Sequence, residues 1–433
     1  MTERRPIDVH EAWLPKEHPL HRPRHGGRQL AALLCAGLFF LGPIIALGIG
    51  AEVARFENRP LAAFPDPRAG WSWFAGLSAW AQDHLPFRDT AVRTTEGVSR
   101  GLFGEPLPLS VAGSEHPGAP QESVGPAVPF VPDWQSEVPT VSAFPSVIEG
   151  TDGWLYLGAY VSGACAPSRS LNDTLASLHR LRGMVEDSGR QFLLVVAPDK
   201  MTMVPQYLPD DYLGRECASQ ASAQFWPAVI DETSTIDLRP ALADIAGRTG
   251  SPVYSPADTH WTHEGGLAMT YALAERIDPG ITQTWQVAPV GSLPWPDDIS
   301  PLLGRGGERM LQKYSLAPAG GEDRANPVIS DFRTALRMTS TPTTGTIDRP
   351  VRMIADSYSQ FASPYLAAAC TDITMVHPDT VAADPSSTGQ MLAEGEIVVV
   401  EVAERHLLSG TSPILLQPVI DQIGHQLAQQ PIR

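Results

Sequence analysis

Lysine is almost missing from this chain of 433 residues: Lys16, Lys200 and Lys313 are its few examples, and the rest of its positive charge is arginine. With 31 basic against 48 acidic residues the formal net charge is -17. That balance excludes a nucleic-acid partner and disfavours docking of the folded part on an anionic lipid surface. Cysteine is scarce too. The four, Cys35, Cys165, Cys217 and Cys370, form no CxxC and no Cys/His spacing of the zinc-ribbon kind, so no structural metal is expected, and no cofactor motif appears. Cys35 falls in an apolar segment. Cys165 and Cys217 sit in loop-like surroundings as either a disulfide or two unlinked thiols, and Cys370 reads as a buried thiol.

Long hydrophobic runs are also few, and one stands out. From Leu30 to Ala51 the chain is free of charge, roughly 33 Å if helical, against a hydrocarbon core of about 30 Å. The expectation is one transmembrane helix over 30–53 after a basic cytoplasmic tail, 1–29, with everything downstream outside the cell membrane. A cleaved signal peptide competes, although its apolar core is usually shorter. Residues 54–104 form a juxtamembrane helical segment in which Trp71, Trp73, Phe74, Leu77 and Trp80 share an apolar face, packed on the folded domain or at the membrane interface. A Pro-rich linker or insertion, 105–146, follows.

What remains, 147–433, has 43% hydrophobic content in the whole chain behind it and can bury a sizeable core. SVIEGTDGWLYLGAY reads as short aromatic strands around turns; Leu171 to Ser188 has helical spacing; FLLVVAPDK and EIVVVEVAE read as buried parallel strands. A helix from about Glu264 to Ile277 takes Thr262 as its cap. Residues 278–349 look irregular, an excursion over the top of the sheet. The fold class is α/β with a mainly parallel sheet.

Chemistry concentrates in SPADTHWTHEGG and MIADSYSQ. In an extended backbone Asp258 and His260 point to one side, so carboxylate and imidazole converge. His260 needs a nucleophile to deprotonate, and Ser357, at the end of a predicted strand, is the candidate. As a bare dipeptide Asp356-Ser357 is equally a helix cap. His263 and Glu264 could suggest a metal site, which a helix start explains as well. Lys200 would contact a substrate oxygen, the triad loop, or Asp199 or Asp210; Trp261, which reads either as packing that positions His260 or as a sugar platform, and Tyr358 complete the candidate substrate-binding set. Glu404-Arg405 reads as a structural ion pair.

The ordered blocks EGTDGWLYLG, VVAPDKMTMVPQYLP, DTHWTHEGG, ADSYSQ and VEVAERHLL, with ENRPLAAFP and LPFRD upstream, resemble the alginate O-acetyltransferase family of SGNH-hydrolase-like proteins. The resemblance implies a three-layer SGNH-like sandwich and a triad of Ser357 as nucleophile, His260 as base and Asp258 as its orienter. It implies transfer of an acetyl group through an acyl-serine to hydroxyls of a cell-surface or secreted polysaccharide, beside a membrane-bound O-acyltransferase that supplies the acyl group. An acetylesterase with the same triad, or a non-catalytic polysaccharide-binding scaffold, are the alternatives. The family usually has Gly where this chain has Ala355, and the carbohydrate-binding module of some relatives has no room in the 76 residues after Ser357 (433 minus 357). Five arginines, Arg305, Arg309, Arg324, Arg333 and Arg337, could form the local basic patch that an anionic polymer would require.

Overall fold

The computed structural model describes residues 17–18, 27–49, 64–68, 70, 72–84, 86, 88–103 and 144–432. Most of the basic tail and of the linker therefore lies outside the described residues. The chain divides into two compact units, Met1–Val92 and Arg93–Arg433.

In the first unit the apolar run forms the helix Gly27–Gly48, with Leu33, Leu38 and Ile45 at least 59% exposed. Among the described residues no helix is long and apolar enough to cross a membrane. The expected transmembrane helix is thus not supported: the helix that forms ends at Gly48, short of residue 51, and residues 50–51 are not described. A second helix, Ser72–Asp83, carries Trp80 edge-on to Phe64 at 5.2 Å and stacked on His84 at 4.8 Å. Phe74 is exposed, so the single aromatic face expected from Trp73 to Trp80 is split; Trp71 is outside the described residues.

Among the described residues the second unit has ten strands, β1 Val147–Glu149, β2 Leu155–Leu157, β3 Gln191–Ala197, β4 Ile236–Asp237, β5 Gln286–Pro296, β6 Glu308–Ala317, β7 Leu336–Thr339, β8 Val351–Ile354, β9 Asp372–Val376 and β10 Ile397–Ala403. Six form the central sheet in the order β4-β3-β10-β8-β9-β7. All neighbours are parallel except the edge pair β7 and β9, so the sheet is mixed. Alternate residues of its strands enter two separate cores. Leu193, Val195, Val399 and Met353 face one, and Phe192, Leu194, Val196, Val398 and Val400 the other. Strands buried on both faces read as continuous apolar runs, which is why β3 and β10 were visible in the sequence.

The short strands β1 and β2 pair antiparallel around Gly150 to Gly153, as the turn residues predict. Residues 278–349 are less irregular than their Pro and Gly content suggests. They contain the antiparallel hairpin β5–β6, Gln286 pairing with Ala317 and Pro296 with Glu308, and the edge strand β7. Prolines fit in β5 because it lies in a two-stranded ribbon whose residues are largely exposed, where a missing amide donor costs little. Cys165 and Cys217 form a disulfide between helices Gly158–Cys165 and Arg215–Thr233, while Cys370 is a buried free thiol.

Candidate active site

The central strands β3, β10 and β8 run parallel and in register, Ala197 beside Ala403 and Val400 beside Ile354. Their carboxyl ends therefore open at one edge, where parallel sheets collect functional loops. After β8 the chain turns at Asp356 into a 3₁₀ helix, Ser357–Phe361. Asp356 caps it: one carboxylate oxygen accepts from the Tyr358 amide at 2.9 Å and the other from the Ala403 amide at 2.6 Å. Ser357 opens the turn, so its own amide has no intrahelical carbonyl to bond and is a candidate oxyanion donor. Ala355 has no positive φ and donates its amide to Val376 at 2.9 Å, so the turn does not require the family's glycine.

Ser357 Oγ lies 2.9 Å from His260 Nε2, and His260 Nδ1 lies 2.9 Å from Asp258 Oδ1. Asp258 and His260 are 1% and 2% exposed, while Ser357 is half-buried. The convergence does not come from extended backbone. Asp258 folds back so that the same Oδ1 accepts the His260 amide at 2.7 Å, a local turn of the kind Asp favours. Burial works against the imidazolium, but the Asp258 charge and hydrogen bond, with Asp298 behind them, raise the His260 pKa. Burial also opposes the Asp258 carboxylate, and His260 and Arg309 outweigh it.

Two residues of this network were not singled out as site residues by sequence. Asp298 points Oδ2 at His260 Nδ1 from 3.4 Å and accepts the Thr259 amide at 2.7 Å. Arg309 donates to Asp258 Oδ2 at 2.5 Å and to Asp297 at 2.9 Å. Asp298 follows β5 and Arg309 lies on β6, and a pair separated from DTHW by some forty residues carries no local spacing to find it by. Asp258, His260 and Asp298 lie close enough to share a cation, yet Asp258 already uses both oxygens on His260 and Arg309, which marks a proton-transfer network.

The three candidates for substrate contact face inward. Lys200 is 1% exposed and donates to the carbonyls of Ser255, Pro256 and Asp258 at 3.2, 3.0 and 2.7 Å; it holds the triad loop, and burial lowers its pKa to about 8. Trp261 is fully buried and donates its indole N–H to the Tyr358 carbonyl at 3.0 Å. Tyr358 is fully buried and donates its hydroxyl to the Thr259 carbonyl at 3.1 Å. All three join the DTHW loop to its surroundings. The two glycines of HEGG serve the same junction: a Cβ on Gly265 would stand 2.5 Å from the Trp261 ring, and one on Gly266 2.1 Å from the Phe361 carbonyl oxygen.

Other expectations change. Thr262 stands at the cap position of helix His263–Ile277, but its hydroxyl goes to Glu264 rather than to a backbone amide. His263 accepts from the Tyr365 hydroxyl at 2.9 Å and Glu264 from the Tyr314 hydroxyl at 2.5 Å, so neither presents a metal ligand pair. Glu404 and Arg405 are not partners: Glu404 accepts from the Asp199 amide, Tyr160, Thr202, Ser222 and Trp226, while Arg405 pairs with Asp199 at 3.2 Å. No basic patch forms either. Arg305 bonds Glu96 and Glu149, Arg324 bonds Thr341 and Thr343, Arg333 bonds Asp331, and Arg337 bonds Asp372.

Residues 147–294 match the family model described as an SGNH hydrolase-like domain of the acetyltransferase AlgX. That stretch contains Asp258 and His260; Ser357 lies beyond it. The chain is 28% identical over 196 residues to a probable alginate O-acetylase AlgJ of Pseudomonas syringae pv. tomato, covering 41% of this chain and 48% of that protein. It is 26% identical over 136 residues to the corresponding protein of Pseudomonas putida, covering 31% and 34%. The matches thus span about half or less of the relatives' length. Among solved structures, the O-acetyltransferase domain of Pseudomonas putida AlgJ aligns at TM-score 0.45 and 19% identity over 65% of this chain and 99% of that one. Pseudomonas aeruginosa AlgX aligns at 0.42 and 13%, over 65% and 67%. The segment 147–294 is thus similar to the SGNH hydrolase-like domain of alginate O-acetyltransferases.

Proposed function

We propose that this protein is an O-acetyltransferase that carries an acetyl group on Ser357 and delivers it to a hydroxyl of an extracytoplasmic polysaccharide. The observation that carries the reading is the unbroken line from Asp258 through His260 to Ser357, in which the serine alone is open to a reactant. In the first half-reaction Ser357 Oγ attacks the acyl carbonyl and gives its proton to His260 Nε2, which passes it to the departing donor group. In the second, the same nitrogen takes the proton of a sugar hydroxyl as that oxygen attacks the acyl-serine, and returns it to Ser357 Oγ as the ester bond breaks. Asp258 keeps the Nδ1–H tautomer and stabilises the cation between steps.

The acyl donor in this reading is a membrane-bound O-acyltransferase, and the catalytic unit works outside the cytoplasm. The Cys165–Cys217 disulfide supports that side of the membrane, since such bonds persist in oxidising compartments. Attachment to the membrane is assigned to the helix Gly27–Gly48, whose exposed leucines and isoleucines a lipid phase would cover. Release of the protein by carbonate wash would sink the attachment without touching the chemistry.

The test is a short incubation of the full chain with a chromogenic acetyl ester, followed by intact mass with and without oligosaccharide. One acetyl group on the wild-type protein, removed by sugar and absent in Ser357→Ala, is the expected result, with turnover reduced about 10³-fold or more in the variant. Unchanged turnover in Ser357→Ala would exclude the acyl-serine. Wild-type turnover to water alone, indifferent to sugar, would make the protein an esterase.

A further inference from the structure

We propose that Asp298 and Arg309, carried by the hairpin β5–β6 and its connection rather than by the α/β core, are positioning residues that set the protonation state of His260. The proposal rests on the acyl-serine reading and deepens it. In a minimal triad one carboxylate faces the imidazole. Here two do: Asp258 Oδ1 at 2.9 Å and Asp298 Oδ2 at 3.4 Å from the same Nδ1.

A second anion so close would strengthen the base by stabilising its cation, and left unbalanced it would also hold the imidazole protonated at neutral pH, when it must be free to accept a proton. Arg309 supplies the balance. It binds the far oxygen of Asp258 and the neighbouring Asp297 through different guanidinium nitrogens, so one cation ties the hairpin's acidic pair to the triad acid. The Asp298 carboxyl is itself held up, by burial first and then by the Asp258 charge. These groups are fixed rather than incidental. Asp298 is anchored by the Thr259 amide, and Trp295, near the end of β5, packs edge-on to Phe361 of the nucleophile turn at 5.3 Å.

The other charged and titratable groups around His260 belong to the core. Arg405 lowers its pKa from the β10 side, the Tyr358 ring stands edge-on at 5.1 Å, and Lys200 lies behind the Asp258 carbonyl. Lys200 and its contact with the Asp258 carbonyl are common to wild type and every variant compared. A change confined to that limb therefore reports on the hairpin groups.

The test is the acid limb of kcat/KM against pH for ester turnover by the full chain. Asp298→Asn keeps an acceptor for Thr259 but removes a charge that favours the imidazolium, so the limb should move to lower pH by about one unit. Arg309→Gln removes a cation and should move it upward. Arg309→Lys restores charge without the two-pronged geometry, and should return the limb toward wild type while kcat stays several-fold low. Limbs that coincide with wild type in both charge-removing variants overturn the proposal, even if activity falls, because a purely structural role lowers the rate without moving the pKa. Circular dichroism identifies a variant that fails to fold, and Asp297→Asn, which takes a neutralising anion from Arg309 and leaves more of its positive charge on the triad, then provides the substitute: a downward shift sustains the proposal and a fixed limb refutes it. If Ser357→Ala retains full turnover, it is the acyl-serine reading that fails.

Discussion

A lysine ammonium at 1% exposure must find acceptors, and Lys200 finds three carbonyls of the loop that leads into Asp258. Replacing it with methionine takes the donor from the Asp258 carbonyl, while the Pro256 and Ser255 carbonyls keep the Leu155 and Asp258 amides. We expect Lys200→Met to cost about 3 kcal/mol of stability and to lower kcat well before it unfolds the protein, measured by urea denaturation alongside ester turnover. His263 offers a second check at this scale. Burial, with Lys313 adding to it and Glu264 opposing, holds its pKa down to about 4, and its Nε2 finds no partner among the described residues. The unfolded imidazole titrates near 6.5, so the unfolded state takes up the proton first and stability is lost as pH falls from about 6.5 toward 4. Thermal melting across that window should fall by several degrees in the wild type and by less in His263→Phe/Tyr365→Phe, which removes the imidazole and the hydroxyl together. An equal fall in both would clear His263 of the acid sensitivity.

Elements were legible in the sequence to the degree that their signal was local. The apolar runs of β3 and β10 marked two neighbouring strands, and Ser357 and DTHW stood out as candidates because each sits beside a readable strand or helix start. The hairpin β5–β6 escaped because its outward strand is exposed and proline-bearing, which removes both alternation and β propensity. Asp298 and Arg309 escaped with it. Of the readings open for Lys200 and Trp261, contact with the triad loop and packing beside His260 are the ones the structure forms, and Tyr358 joins them inside; a sequence shows proximity to a motif and not which way a side chain faces. The disulfide is an element-scale feature that sequence left open between two states. It closes a span of 52 residues from helix Gly158–Cys165 to helix Arg215–Thr233, and chain-entropy arguments give it roughly 4 kcal/mol. Cys165→Ser/Cys217→Ser should lower the urea midpoint accordingly; a midpoint that does not move would mean that the bridge constrains little in the unfolded chain.

At the scale of the whole molecule, a net charge of -17 with its hairpin and sheet-edge arginines paired internally makes an uncharged or weakly charged glycan the easier acceptor for the proposed transfer. A polyuronate should show a KM that falls several-fold as salt is raised toward roughly 0.15 M, while a neutral glucan's KM stays level, because screening relieves repulsion only for the former. Salt-independent KM values for both would place the negative charge away from the acceptor's path. The distance in sequence between His260 and Ser357 has a further consequence, one of timing. Base and nucleophile are separated by 97 residues, and the hairpin that steadies them lies between. A chain emerging from synthesis or export carries a serine no more reactive than that of any peptide, and contacts of such long range form late in folding. Reactivity arrives with the final docking of the nucleophile turn on helix His263–Ile277 and departs with the first loosening of it. Under the proposed acyl-serine chemistry, a damaged or half-folded copy would thus fall silent instead of acetylating indiscriminately.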